Sequence, residues 1–82
     1  MYYVYLLRSE IDQTFYIGST SDLKKRFYQH NKGQNIATKS KVPWKLVYYE
    51  AFLTKTLAQE REKKLKHHGR GLTLLKKRID LS

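Results

Sequence analysis

Residues 2–19 read Tyr2-Tyr3-Val4-Tyr5-Leu6-Leu7-Arg8-Ser9-Glu10-Ile11-Asp12-Gln13-Thr14-Phe15-Tyr16-Ile17-Gly18-Ser19, and they decide the fold. Tyr2 to Leu7 is rich in aromatic and β-branched types and reads as a strand. Arg8 to Thr14 is polar and makes a connecting loop. Phe15 to Ser19 is a second short strand, so the stretch folds as an antiparallel hairpin. Alternation puts Tyr3, Tyr5 and Leu7 on one face of the first strand and Tyr2, Val4 and Leu6 on the other. On the second strand Tyr16 shares a face with Gly18, opposite Phe15 and Ile17. Two tyrosines on neighbouring strands can therefore meet beside a residue with no side chain. Strand tyrosines commonly pack half-buried with the hydroxyl in water, so this pattern alone assigns no chemistry.

Beyond the hairpin, Thr20, Ser21 and Asp22 are candidate N-caps for a helix from about Leu23 to Asn31, with Gly33 as its stop. Residues 33–44 form a polar loop ending in Pro43-Trp44, and Lys45 to Phe52 is a third strand. Thr54 or Thr56 caps a longer helix through about His68. Gly69-Arg70-Gly71 breaks it, and Leu72 to Lys77 forms a last short helix. The order β-β-α-β-α-α describes an α+β domain, a small three-stranded antiparallel sheet flanked by helices. The 82 residues suit a single domain.

Hydrophobic residues make up 40% and charged residues 29%, which argues against disorder. With no cysteine there is neither a disulfide framework nor a thiolate metal site, which fits a cytoplasmic protein. No run approaches the roughly 18 apolar residues of a membrane span. The first eight residues lack the marks of a signal peptide and read better as a strand.

Seventeen Lys and Arg against seven Asp and Glu give +10, unevenly spread. Residues 1–23 hold one basic and three acidic residues, a balance of −2; residues 24–82 hold sixteen and four, a balance of +12. So large a charge on so small a body attracts polyanions, of which nucleic acid is the commonest. The alternatives are a functionally neutral basic surface or an acidic partner protein. A membrane surface fits less well, because no single basic amphipathic helix stands out.

Helical spacing places Leu23, Phe27 and His30 along one stripe of the first helix, with Arg26 at its edge. Arg26 either snorkels or turns inward toward a phosphate. On the second helix Leu57, Ala58, Arg61 and Leu65 define the inward stripe, Glu62 lies at its margin and Glu60 projects away. Glu62 either pairs with Lys66 or Arg26, or holds a hard divalent cation. His67-His68 reads as a helix C-terminal feature favourable to the dipole rather than a metal pair. Gly18 lacks the spacing of a phosphate loop.

These residues also form an ordered set of motifs. Val4-Tyr5 is followed after a ten-residue connection by Tyr16-Ile17-Gly18; Arg26, His30 and Asn31 come next, then Ala58-x-x-x-Glu62 with Leu65-Lys66. Over about residues 2–78 the set resembles the GIY-YIG nuclease superfamily, in its small stand-alone bacterial form. Two departures stand out. Tyr3 replaces the glycine of the first motif and crowds the mouth of the site, and Ser19 stands where repair-nuclease relatives carry a lysine.

The resemblance implies a GIY-YIG-like fold and metal-dependent hydrolysis of nucleic acid, with DNA repair or processing as its setting. One divalent cation, Mg2+ or Mn2+, would be held by Glu62, and no small-molecule cofactor is expected. Arg26 would donate to the phosphoryl oxygens, Tyr16 would be the general base with Tyr5 orienting it or the water, and His30 would orient the phosphate or assist proton transfer. Lys24, Lys25, Lys39, Lys41, Lys63 and Lys66 would follow the phosphate backbone, DNA ahead of RNA, without reading sequence. The alternative is a non-catalytic nucleic-acid-binding domain that keeps the fold.

Overall fold

The hydrophobic run at the start of the chain becomes the middle strand of the sheet, and that position explains why both of its faces are apolar. In the computed structural model, which describes residues 1–67 and 70–79, β1 (Tyr2–Ser9) lies between β2 (Phe15–Thr20) and β3 (Trp44–Phe52), antiparallel to both. One face carries Val4, Leu6 and Ile17 into a core with Ala58, Leu65 and Leu75. The opposite face carries Tyr5 and Leu7 into a second core with Trp44, closed by Leu23 and Phe27. Helix α1 (Leu23–Asn31) covers this second face, while α2 (Lys55–His67) and α3 (Arg70–Arg78) lie on the first. The α+β architecture is thus the expected one, with three helices among the described residues.

Local chemistry sets the boundaries. Asp22 is the cap of α1, its carboxylate accepting from the Lys25 backbone N–H at 3.1 Å. Gly33 ends that helix at φ 72°, a left-handed conformation that costs glycine little, and its N–H donates to the His30 carbonyl. Thr54, not Thr56, caps α2 through the Leu57 N–H. The 33–44 loop contains a short 3-10 turn at Lys39–Lys41.

Several expectations need correction. β1 runs on to Ser9 and β3 begins at Trp44, because those two residues pair and extend the ladder past Leu7. The β1–β3 register shifts between Leu6–Tyr48 and Leu7–Leu46, leaving Val47 as the extra residue of a bulge. Val47 and Tyr48 then both pack against the α2 side. Leu57 is not inward: it is 47% exposed. The buried line of α2 is Ala58 and Leu65, flanked by Arg61, which makes a two-pronged pair with Glu50 of β3 at 2.9 and 3.0 Å. The last helix starts at Arg70 and ends at Arg78, longer at both ends than expected. His68 and Gly69, the expected helix end and the start of the break, lie outside the described residues.

Gly18 faces Tyr5 across the β1–β2 ladder. The hydroxyl end of the Tyr5 ring lies against it, and a Cβ at position 18 would overlap the Tyr5 hydroxyl and sit 2.5 Å from Cζ. Both atoms belong to a ring packed in the core, so neither has room to retreat. Gly18→Ala should destabilise the fold by about 3 kcal/mol, at the upper end of overpacking costs. Urea denaturation followed by tyrosine and tryptophan fluorescence checks this; a midpoint within error of wild type would show that the ring moves freely.

Candidate active site

Tyr5 is the buried centre of the site. It is 2% exposed, and its hydroxyl is hydrogen-bonded to His30 Nε2 at 2.8 Å. His30, 0% exposed, bonds through Nδ1 to the Thr38 hydroxyl at 2.8 Å. One imidazole nitrogen carries the proton and donates while the other accepts, so both ring nitrogens are satisfied in a dry core. Asn31, next in the helix, fixes the far end: its amide donates to the Trp44 carbonyl at 2.9 Å and accepts from the Trp44 N–H at 2.6 Å. The Trp44 indole N–H donates to the Thr38 carbonyl at 2.9 Å, so α1, the loop and β3 are tied into one network.

Tyr16 packs over this network with its ring half-buried, 5.1 Å from the His30 ring centre and 6.5 Å from that of Tyr5. Because β2 is an edge strand, Tyr16 also stands where the two sides of the sheet meet. From the other side comes Glu62, whose side chain is 21% exposed. Its Oε1 accepts from the Ser19 hydroxyl at 2.6 Å and its Oε2 from the Lys66 ammonium at 2.6 Å. Ser19 points that way because β2 alternation puts it opposite Tyr16 and Gly18. The Lys66 ammonium also lies 5.8 Å from the centre of the Tyr16 ring, joining the carboxylate to the phenol across the strand edge.

Charge reaches through the same space. Burial pushes the Tyr5 phenol up to about 12; the neighbouring Arg26 guanidinium opposes the rise, while Tyr16 and Glu62 add to it. Tyr5 therefore stays protonated and cannot serve as a base near neutral pH. Burial first, and then the Arg26 charge, lower the His30 imidazole below its ordinary value, so it stays neutral. Arg26 itself borders a groove of about 290 Å³ with Ser19, Lys25 and Gln29.

Tyr5, Tyr16, Arg26 and Glu62 thus share one neighbourhood around the end of β2. His30 joins them from beneath, and its complete burial removes it from any phosphate; its contact is with Tyr5. Of the basic residues, Lys25 and Lys66 adjoin the site and Lys24 lines a neighbouring groove. Lys39 and Lys63 are exposed elsewhere, and Lys41 is paired with Asp12 at 3.1 Å. Thr38 and Ser19, which fix His30 and Glu62, were not among the expected site residues. Strand alternation pointed Ser19 toward α2, whereas nothing in the polar loop marked Thr38.

A metal would find one carboxylate here. Among the described residues no group of three or more His, Asp and Glu side chains could hold an ion. Among these residues there is no closed multi-ligand cage of zinc type, while a single carboxylate fits magnesium or manganese, which keep waters and phosphate oxygens as other ligands. The Lys66 ammonium already occupies one carboxylate oxygen at 2.6 Å, so a metal ion there would have to displace it.

Comparison with known proteins shows the family. Residues 1–77 match the family described as the GIY-YIG catalytic domain. UPF0213 protein CPE1444 of Clostridium perfringens is 43% identical over 75 residues, 90% of this chain and 80% of that protein. UPF0213 protein SpyM3_1077 of Streptococcus pyogenes is 43% identical over 61 residues, 73% of this chain and 65% of its own, so the chain spans just under two thirds of that relative. The solution NMR structure of the UPF0213 protein BH0048 from Bacillus halodurans is similar with a TM-score of 0.56 and 32% identity, over 92% of this chain and 83% of that one. The chain belongs to the GIY-YIG family, a nuclease domain family, among the UPF0213 proteins. Among the described residues no helix is long and apolar enough to cross a membrane.

The two buried groups make opposite contributions to stability with pH. The unfolded chain protonates His30 near pH 6.5, and the folded protein only below that, so stability falls as pH drops through this window. The unfolded chain ionises Tyr5 near pH 10 and the folded protein near 12, so stability also falls as pH rises through that range. Urea midpoints measured across pH should decline on both sides, and His30→Gln should flatten the acid arm. An acid arm unchanged in His30→Gln would show that His30 is not the group responsible.

Proposed function

We propose that this protein is a divalent-metal-dependent endonuclease that hydrolyses phosphodiester bonds in nucleic acid, DNA ahead of RNA, acting in the cytoplasm in DNA repair or processing. The observation that carries the reading is the meeting of Tyr5, Tyr16, Arg26 and Glu62, from two strands and two helices, at the edge of β2 beside a cationic groove. Dispersed residues rarely bring a carboxylate, a guanidinium and two phenols together without a task.

In this mechanism Arg26 donates to the non-bridging oxygens of the phosphate and stabilises the charge that grows there. Tyr16, the more accessible phenol, accepts a proton from the attacking water through its ionised oxygen. The water oxygen bonds to phosphorus as the ester P–O bond opposite it breaks, and the leaving oxygen takes a proton from solvent. Tyr5 remains protonated, is fixed by His30, and orients Tyr16 or the water. Glu62 would hold the magnesium or manganese ion, positioned by Ser19 once Lys66 swings off its other oxygen. When bound, that ion would supply further charge stabilisation to the phosphate.

One observation favours the alternative of a binding module without catalysis: both oxygens of Glu62 already have partners. Glu62→Gln separates the two readings. It keeps size and helix propensity while removing the charge that holds the cation, and should lower cleavage by several orders of magnitude. Binding should survive or tighten slightly. Glu60→Gln, on the exposed side of α2, should cleave near wild type. Equal effects in both variants would rule out a special role for Glu62, and a wild type that cleaves no substrate with any divalent metal would leave the binding module.

The charge distribution adds a second expectation, for binding itself. If about four to six phosphates are neutralised, log affinity should fall against log salt with a slope of roughly −4 to −5, largely independent of sequence. Filter binding or fluorescence anisotropy across a salt series measures it. A flat series would contradict phosphate-led binding.

A further inference from the structure

Next to the Arg26 groove, on the α1 side of the sheet, runs a second groove of about 450 Å³ that the hydrolytic mechanism does not use. Tyr3, Leu46 and Tyr49 line it from the sheet, and Leu23, Lys24 and Phe27 line it from α1. It exists because the helix is only nine residues long and leaves the Tyr3 end of β1 uncovered. The Tyr3 and Tyr49 rings meet edge to face, centres 6.1 Å apart at 64°, and Tyr49 is 53% exposed. An open aromatic pair is unusual on a sheet whose two faces are otherwise packed, and it asks for an occupant.

The grooves adjoin one another. Ser21 and Asp22 line both this one and the Arg26 groove. On the other flank, the Arg26 groove shares Ser19, Thr20 and Ser21 with a polar groove of about 430 Å³ that reaches Lys55 and Gln59. A track therefore passes around the end of β2, from Lys55 through Lys25 and Arg26 to Lys24 and Tyr49. Its polar, cationic stretches suit phosphates, and its aromatic end suits a flat ring. Asp22, the acid on the track, has a carboxylate oxygen engaged in capping α1.

The occupant must offer a flat apolar face and a negative charge together. A second copy of the chain brings its own +10 and is repelled. A nucleotide unit offers both, since any base can stack on tyrosine while its phosphate meets lysine. A base paired inside a duplex has no free face, so the base must come from an unpaired segment. We propose that the Tyr3–Tyr49 groove takes an unpaired nucleobase from the strand whose phosphate lies at Arg26, which makes single-stranded or locally unpaired nucleic acid the substrate class. This rests on the nucleic-acid reading above and extends it. Tyr3, the residue that departs from the family motif, then serves as a wall of the base site.

Binding without metal tests the proposal independently of cleavage. The probes are a fluorescein-labelled oligothymidylate and an oligomer of the same length with abasic sugars, measured by anisotropy at low salt with chelator. Wild type should prefer the base-bearing oligomer. Tyr49→Thr keeps strand propensity but removes the ring, and should weaken that binding by about 5- to 100-fold while leaving the abasic oligomer unaffected. Tyr49→Phe keeps the ring and should bind like wild type. Binding of both oligomers without discrimination, or equal losses on both in Tyr49→Thr, overturns the base site and leaves phosphate-led binding standing. No salt-sensitive binding to either oligomer overturns the nucleic-acid reading and the base site with it. A dimer that Tyr49→Thr dissolves, without base discrimination, assigns the groove to a second copy and also overturns it.

Discussion

The hydroxyl of Tyr5 is held between a glycine and a histidine that water does not reach, and the positions of the other site residues follow from that arrangement. Gly18 gives the ring its space, and His30 takes the hydroxyl at 2.8 Å. Satisfying a buried imidazole requires a second partner, which Thr38 provides from the loop. Holding Thr38 in place requires the loop to close on Trp44, and the Asn31 amide grips the backbone of Trp44 on both sides. A chain of polar contacts thus runs from the middle strand through α1 and the loop to β3. Losing any member strands a buried donor or acceptor, so the network specifies one arrangement of these elements.

Strand β2, at one edge of the sheet, joins this half to the Glu62 side. Tyr16 and Ser19 sit on its opposite faces, three residues apart, and each faces a different helix layer. Through them the Tyr5–His30 network on one side is coupled to Glu62 on the other, with Lys66 spanning the margin. The enclosed half keeps its phenol protonated and oriented, whereas Glu62 is part-exposed and paired with an exposed Lys66.

Much of this was legible in the sequence. Alternation in the first strand sorted Tyr5 and Leu7 from Val4 and Leu6, and the structure packs them in separate cores as that sorting requires. The bounds of α1 were readable because Asp22 and Gly33 carry strong local signals at both ends. Signals that depend on partners were not readable. The bulge at Val47 exists only in relation to β1, and Leu57 is exposed because of how α2 lies on the sheet, which helical spacing does not encode. Spacing put His30 on the apolar stripe with Leu23 and Phe27, but nothing in it marked His30 as the most enclosed side chain of the site. Its burial depends on Thr38, eight residues on in a loop without periodicity.

The division of labour between the two phenols tests the account most directly. Burial holds Tyr5 protonated, which leaves Tyr16 as the base in the proposed mechanism. Single-turnover cleavage of labelled single-stranded, branched and duplex substrates should be measured with magnesium and with chelator, for wild type and Tyr16→Phe. The account predicts metal-dependent cleavage by wild type and a rate about 10²- to 10⁴-fold lower in Tyr16→Phe, with fold and nucleic-acid affinity unchanged. Cleavage by Tyr16→Phe at the wild-type rate would contradict it.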